Sequence, residues 1–483
     1  MSGRAPSGLG VSPSALSRRQ MLGAAVAGPL TALAAQAQAA PPAGRVFTPE
    51  LYGAKGDGVT NDTAAFRLMS EAMTAAHGGV ISLRAVTYIV GTQRHDPASP
   101  DSYAYAPSPI IDLKGCSAPV RIEGNGARLR CAPGLRFGVF DPVSGARVDR
   151  KMPNMLAQGR ASPYHCMIWI ERCAAGVTIE HLELDGASAA AVIGGQWGDT
   201  GWQIPATGMY LLDNGGPLLV RGVHTHHHLQ DGMMISATPA RAGETRRFER
   251  VRADHNARNG CSVIGGDGWT FEDCRFTDSG RSVIWSMPGV GVDLEAERGP
   301  IRDVAFSRCT FANNVCPGMV ADSGDTARAR FADCTFVGTT AWAAWPDKPF
   351  FSFERCVFVG AICRAHTSDD PHAATHFRHC IFTDDPRRSP TGKVYSAGPI
   401  ADLSDGKNVR FDGCSFLVAH GSALPWSAHA IYADCTMRQV NGKQGYPRGT
   451  YLGNGSIVGD VDLAQSTIAG TLKVNGVRRA ETR

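Results

Sequence analysis

Five stretches of the chain start at a glycine and then alternate: "TGMYLLD" (Gly208), "DGMMISA" (Gly232), "NGCSVIG" (Gly260), "VGVDLEAE" (Gly291) and "PGMVADS" (Gly318). The residues one and three places after each glycine are Met/Leu, Met/Ile, Cys/Val, Val/Leu and Met/Ala. A period of two with one apolar side predicts short strands whose +1 and +3 positions face a core and whose +2 and +4 positions face outward. A second set follows a different pattern: "FEDCRF" (Cys274), "FSRCTF" (Cys309), "FADCTF" (Cys334), "FERCVF" (Cys356), "FRHCIF" (Cys380) and "FDGCSF" (Cys414), with "YADCTM" (Cys435) as a weaker seventh copy. The cysteines are 35, 25, 22, 24, 34 and 21 residues apart. Each copy is an apolar-rich run between polar residues and predicts one strand. A strand repeated at this spacing, with insertions of variable length, predicts a solenoid. "VTIEHLEL" (Leu182), "LLVRGVHT" (Val223) and "RFERVRAD" (Val251) fit the same frame without the cysteine.

The end of a solenoid is an exposed edge that needs a cover. Asp62 is placed to cap a helix whose Phe66, Met69 and Met73 form one apolar stripe, which predicts a lid over the first rung. "GGVISLRAVTYIV", from Gly78 to Val90, then begins the strands. The run "YGAKGDGVTNDTAAF", a helix, "GGVISL" and a "TY" strand together resemble the N-terminus of pectate-lyase-like right-handed parallel β-helix proteins, including rhamnogalacturonase-type and epimerase-type enzymes. This chain departs from that pattern in having "LRAVTY" where a proline-glycine is usual. The resemblance implies an all-β, right-handed parallel β-helix with a short N-terminal capping helix. That fold is traceable over residues 46–475, with irregular loops at 92–118 and 132–160. The reaction stays open, because hydrolases, lyases, epimerases and phage tailspikes share this fold.

Residues 1–39 stand apart from the fold. "SRRQML", Ser17 to Leu22, resembles a twin-arginine export motif; an alanine-rich apolar run follows, and Ala37-Gln38-Ala39 fits a small-x-small cleavage pattern. The expectation is a signal segment at 1–39, one domain at 40–483, and a periplasmic or secreted protein. Removing that segment leaves 45 basic and 44 acidic residues, a balance that gives no reason to expect nucleic acid or an anionic membrane as partner. No later segment is apolar for long enough to span a bilayer. Export makes fourteen cysteines look like disulfides. A stack of seven at equivalent positions has no natural pairing, however, and predicts reduced cysteines acting as small buried hydrophobes.

The outward positions carry the candidate chemistry. They hold Tyr210, Met234, Ser262, Asp293 and Val320 at +2, and Leu212, Ser236, Ile264, Glu295 and Asp322 at +4. Strand geometry sets Asp293 and Glu295 roughly 6–7 Å apart and Asp322 about 5 Å from Glu295 on the next rung. Asp231, just before its glycine, and Glu297 extend the acidic line. Carboxylates this close raise one another's pKa and divide into an acid and a base, as glycoside hydrolysis requires. The same oxygens also suit a solvated face or a calcium site. In "VHTHHHLQDG" the histidines His226, His227 and His228 are placed in a turn beside Asp231; His228 is a further acid/base candidate and His226 a sugar-binding donor, although exposed turn histidines need no such role. Three consecutive residues cannot all face one ion. Trp202 and Trp285 lie in insertions and offer flat platforms for sugar rings, as does Tyr210, while tryptophans also serve as plain packing residues.

These features point to a glycoside hydrolase acting on a polysaccharide, with Asp293, Glu295, Asp322, Asp231 and His228 as catalytic candidates. Tyr210, Trp202, Trp285, His226 and Glu297 are the substrate-binding candidates. No cofactor is expected for hydrolysis. Two alternatives remain: a lyase or C5-epimerase on a uronic-acid polymer, for which the carboxylates would hold Ca²⁺, and a non-catalytic carbohydrate-binding or structural solenoid.

Overall fold

The computed structural model describes residues 44–97, 103–149, 159–197, 204–241, 244–396 and 398–482. They build a right-handed parallel β-helix in which strands of successive turns pair in parallel. One rung runs from Cys261–Val263 to Trp269–Glu272, turns a corner, continues as Arg275–Thr277, and returns through a loop to Val292–Leu294. The Cys261–Val263 type of strand stacks into an eight-stranded sheet, from Ile111–Lys114 through Cys166–Glu171, Thr207–Asn214 and Met233–Ala237 to Trp345–Pro346. The other two strands of each rung belong to a single long sheet.

The glycine-led strands have the register their alternation predicts. Met209, Met233, Cys261, Val292 and Met319 are fully buried, as are Leu211, Ile235, Val263 and Leu294. The cysteine runs, by contrast, are not single strands. "FEDCRF" splits into Trp269–Glu272 and Arg275–Thr277 around Asp273, whose φ is +54°. Arg308, Asp333, Arg355 and His379 occupy the same corner in later rungs, also in the left-handed region. Such a bend favours glycine, asparagine, aspartate or histidine, so Arg308 and Arg355 are its unusual occupants. Here ion pairs along the corner column hold it, Arg308 on Asp273 and Arg355 on Asp333, each at 2.8 Å.

The bend sends the aromatics flanking each cysteine into two internal ladders. Phe248, Phe271, Phe306, Phe331, Phe353, Phe377 and Phe411 stack in sequence, continued by Tyr432 and Tyr451, with ring centroids 4.5–5.3 Å apart. Phe276, Phe311, Phe336, Phe358, Phe382 and Phe416 form the second ladder at 4.6–5.5 Å. Rings of one ladder meet those of the other edge to face, as Phe331 meets Phe336.

All fourteen cysteines are free thiols. Within the ladder, Cys309 Sγ donates to the Phe271 carbonyl at 3.5 Å and Cys356 Sγ to that of Phe331 at 3.4 Å, one rung below in each case. Cys309→Ser is expected to destabilise the stack by on the order of 1–3 kcal/mol, through lost packing and a more polar buried group. Urea unfolding checks this, and an unchanged midpoint contradicts it.

The N-terminal lid is the helix Thr63–Ala75, with Phe66, Met69 and Met73 fully buried. Asp62 stands at its N-cap position but makes no side-chain cap there. Its carboxylate instead takes the backbone N–H groups of Lys55 (2.7 Å) and Gly56 (3.1 Å), tying down the preceding glycine turn. The expected irregular loops hold short strands: Gln93–His95 pairs antiparallel with Tyr103–Pro107, and Arg136–Val139 with Arg160–Ala161. Residues 1–39, with the export motif and cleavage site, lie outside the described residues. No described helix is long and apolar enough to cross a membrane.

Candidate active site on the eight-stranded sheet

The outer face of the eight-stranded sheet carries an aromatic cluster, with charged residues beside it, at one end and carboxylates at the other. Parallel pairing puts Asp112, Trp169 and Tyr210 side by side on adjacent strands, followed by Met234, Ser262, Asp293 and Val320. Tyr210, Leu212, Ile264 and Cys166 form a small cluster separate from the main core, with Trp169 and Met234 packed on it. Trp169 is the half-exposed ring of this group. It meets Tyr210 edge to face at 5.3 Å, carries the Lys114 ammonium 4.1 Å above its ring, and donates from Nε1 to Glu171 at 3.1 Å. Tyr210 itself is 9% exposed, and its hydroxyl donates to Gln230 Oε1 at 3.3 Å.

Beside Trp169 lies a cavity of about 290 Å³ whose lining includes Pro109, Asp112, Lys114, His165 and Trp169. Lys114 Nζ is 3.1 Å from Asp112 Oδ2, while the other oxygen, Oδ1, is buried without a hydrogen-bond partner. Burial, with Arg160 and Lys114 nearby, holds the His165 imidazole below its usual range. The cavity lies at the aromatic end of the face, away from the acidic end.

At the acidic end, Asp293 is 6% exposed, and its Oδ2 accepts from Asn259 Nδ2 at 3.2 Å. Glu295 is half-buried and accepts from Ser323 Oγ at 3.2 Å. Asp322 is exposed just past the strand Met319–Ala321, and Glu297 is exposed at the start of the next strand. Asp293 pairs with Val320, but the pairing resumes one residue out of step at Ala296 and Gly324, so Glu295 meets Ser323, the residue after Asp322. Glu295 and Asp322 are accessible carboxylates at this end, each one residue past its strand.

Asp231 is not an outward group. It is fully buried and accepts from Arg258 Nη1 (3.0 Å), Asn259 N (3.0 Å) and Ser262 Oγ (2.9 Å). Buried charge persists only with such partners, and Asp231 works here as a brace behind Asn259 and hence Asp293. His228 also departs from expectation: it is fully buried rather than in an exposed turn. Its Nδ1 lies 2.8 Å from the Tyr164 hydroxyl and its Nε2 3.1 Å from the Leu184 carbonyl. The carbonyl can only accept, so Nε2 carries the proton and Nδ1 accepts from tyrosine. Burial lowers its pKa to about 3, so it is a neutral structural group rather than an acid or base of this face.

A buried histidine with a depressed pKa binds fewer protons folded than unfolded. Its stabilising contribution is therefore complete above the unfolded pKa near 6.5 and shrinks as pH falls toward the folded value. Stability is expected to drop between pH 6.5 and 4.5 by up to about 1.4 kcal/mol per pH unit from this residue. His228→Gln, measured by urea unfolding across that range, should flatten the slope; an equal slope contradicts the assignment.

Trp285 packs within its own loop, close against Gly280 and Gly289, with Nε1 buried and unpartnered. It belongs to the loop returning to Val292–Leu294. Trp202 lies outside the described residues. His226 is on the strand His224–His226 of the long sheet, not on the acidic face. Its Nε2 is 3.0 Å from Glu183 Oε1, and burial, together with neighbouring His224, lowers its pKa. Among the described residues, two groups bring three metal-capable donor atoms within 4.8 Å: Glu183, His224 and His226; and Asp185, His226 and His227. The Asp293, Glu295 and Asp322 carboxylates are not such a group.

The sequence reading passed over Trp169, Lys114 and Asp112. "CMIWIE", Cys166 to Glu171, alternates like the other strands but lacks the leading glycine that located them.

No protein-family model matches the chain, and no curated protein matches it. Several solved structures share its course. The A-module of mannuronan C-5 epimerase AlgE4 from Azotobacter vinelandii aligns over 88% of this chain and 97% of its own, at 14% identity and a TM-score of 0.44. The N-terminal fragment of the bacteriophage phi29 gene product 12 aligns over 89% and 72%, at 13% identity and 0.49. The endo-xylogalacturonan hydrolase from Aspergillus tubingensis aligns over 89% and 91%, at 13% identity and 0.37. At these identities and scores they assign no activity to this chain, and the fold rests on its own strand pairing.

Proposed function

We propose that the protein is an exported carbohydrate-active enzyme that binds a polysaccharide along the outer face of the eight-stranded sheet and cleaves it as a glycoside hydrolase. One observation carries the reading: the half-buried Trp169 ring stands on the outer face of the eight-stranded sheet, and the carboxylates Glu295 and Asp322 stand at the strand ends farther along it. Sugar rings stack on half-buried aromatics, and glycosidic cleavage needs two carboxylates flanking the bond. Glu295, partly screened and hydrogen-bonded, is assigned as the acid/base, and exposed Asp322 as the nucleophile. Asp293 positions Asn259 and the strand. The twin-arginine-like segment supports a periplasmic or secreted location.

A second reading is a lyase or C5-epimerase on a uronic-acid polymer, favoured by the cavity at the aromatic end. Lys114 supplies a cation for a substrate carboxylate there, and neutral His165 a base for the C5 proton. The test is a screen of the purified mature protein against neutral and uronic polysaccharides, with and without EDTA. New reducing ends without the ultraviolet absorbance of an unsaturated uronate support hydrolysis. Absorbance that survives in Glu295→Gln but is lost in His165→Ala moves the chemistry to the cavity. No product on any polymer, with glycan binding retained, favours a non-catalytic binding solenoid.

A further inference from the structure

We propose that Glu183, His224 and His226 form a binding site for one divalent transition-metal ion of the zinc class, on the outer face of the long sheet. The site goes beyond the glycan reading and stands without it. Three adjacent strands, Val177–Asp185, His224–His226 and Arg252–Asp254, assemble it. Parallel pairing sets Glu183 against His224 and Asp185 against His226, then His224 against Arg252 and His226 against Asp254. Thr225, between the two histidines, points into the core, so both imidazoles stand on the outside. One donor atom from each of Glu183, His224 and His226 falls within 4.8 Å of the others.

Two imidazoles and one carboxylate suit zinc and its neighbours, whereas calcium takes an all-oxygen shell. Elsewhere the outer faces carry arginine–carboxylate pairs, such as Arg328 on Asp303 and Arg308 on Asp273. Here imidazoles join the column, and an imidazole nitrogen is a softer donor that suits a transition metal.

The surrounding groups fix the tautomers that ligation needs. Arg252 Nη2 donates to His224 Nδ1 at 3.1 Å, and a guanidinium only donates, so His224 carries its proton on Nε2. That N–H donates to Asp254 Oδ2 at 2.6 Å, while His255 Nδ1 donates to the other oxygen at 2.9 Å. A carboxylate behind the far ring nitrogen is the usual support for a ligating histidine. In this tautomer the unprotonated Nδ1 of His224 is the nitrogen free to ligate, once Arg252 swings aside.

His226 Nε2 lies 3.0 Å from Glu183 Oε1, and its Nδ1 lies 3.7 Å from Asp185 Oδ1 and 2.7 Å from His227 Nδ1. Without metal, the Nε2 proton bridges His226 to Glu183. The ion takes the place of that proton, which moves to Nδ1 and there donates to His227 Nδ1 as His227 shifts its own proton to Nε2, so no proton is lost. Arg128 and Arg130 already neutralise Asp185, which leaves Glu183 as the carboxylate ligand, although Arg128 Nε also approaches Glu183 Oε1 at 3.1 Å and must give way.

The test is calorimetric titration of Zn²⁺ into the chelator-stripped full chain, with X-ray absorption on the zinc-loaded protein. The proposal expects about one ion per chain, a zinc-dependent rise in the unfolding midpoint, and nitrogen and oxygen scatterers at about 2.0–2.1 Å. Glu183→Gln and His226→Gln should each weaken binding at least tenfold, and Asp254→Asn by about 10–100-fold. No saturable binding, sulfur scatterers, or unchanged affinity in the Glu183→Gln/His226→Gln double variant overturns it. Where a variant fails to fold, absorption on the wild-type protein decides.

Discussion

Glu295→Gln is expected to lower kcat on the polysaccharide by about 10²–10⁴-fold, the usual contribution of a positioned acid/base. The substitution keeps the shape of the side chain and an oxygen to accept from Ser323 Oγ, so the rung should fold as before. Only the transferable proton is lost. Asp322→Asn should fall by a similar or larger factor, and the double variant should be little worse than the worse single one, because the two carboxylates serve one reaction. Trp169→Ala should act differently: it removes a stacking platform some rungs away, raising KM more than it lowers kcat. Steady-state kinetics with the unfolding midpoint measured alongside separates these cases. A Glu295→Gln enzyme with unchanged kcat would remove Glu295 from the chemistry.

Phe331→Ala is expected to lower the unfolding free energy by about 3–5 kcal/mol, the range for deleting a buried aromatic. Phe331 is 1% exposed and stacks on Phe306 at 4.9 Å and on Phe353 at 4.7 Å. It also meets Phe336 edge to face at 5.7 Å. The cavity left behind cannot close easily, because the rung spacing above and below is fixed by parallel hydrogen bonding. In a solenoid each rung contacts only its neighbours, so the loss concentrates at the middle of the stack. Denaturant unfolding with hydrogen exchange should show that loss, with reduced protection in the strands around residues 306–353. A loss below about 1 kcal/mol, less than burial of the ring alone is worth, would contradict a packed ladder at this position.

The solenoid was legible because its rungs repeat side-chain alternation, and alternation is a direct consequence of strand geometry. The inward set after each glycine is buried as predicted, and so is the helix stripe of Phe66, Met69 and Met73. The corner at Asp273, Arg308 and Asp333 was not legible. Aspartate in "EDC" and "ADC" tolerates the left-handed region, but arginine in "SRC" does not signal it, and the bend is sustained by ion pairs between rungs, which are contacts between distant parts of the sequence. His228 and Asp231 failed for a related reason. Polar residues near a turn read as exposed, whereas the returning loop carries them inward to Tyr164 and Arg258. The Glu183–His224–His226 group was invisible because Glu183 is 41 residues before His224 in sequence and meets it only through strand pairing.

The most direct measurement is a crystal structure of the Glu295→Gln protein with an oligosaccharide from whichever polymer it binds. The account predicts sugar rings running along the outer face of the eight-stranded sheet, one ring on Trp169 and a glycosidic oxygen within hydrogen-bonding reach of residue 295. Sugar bound on the long sheet, or contacts that avoid both Trp169 and Glu295, would contradict the assignment of this face as the active site.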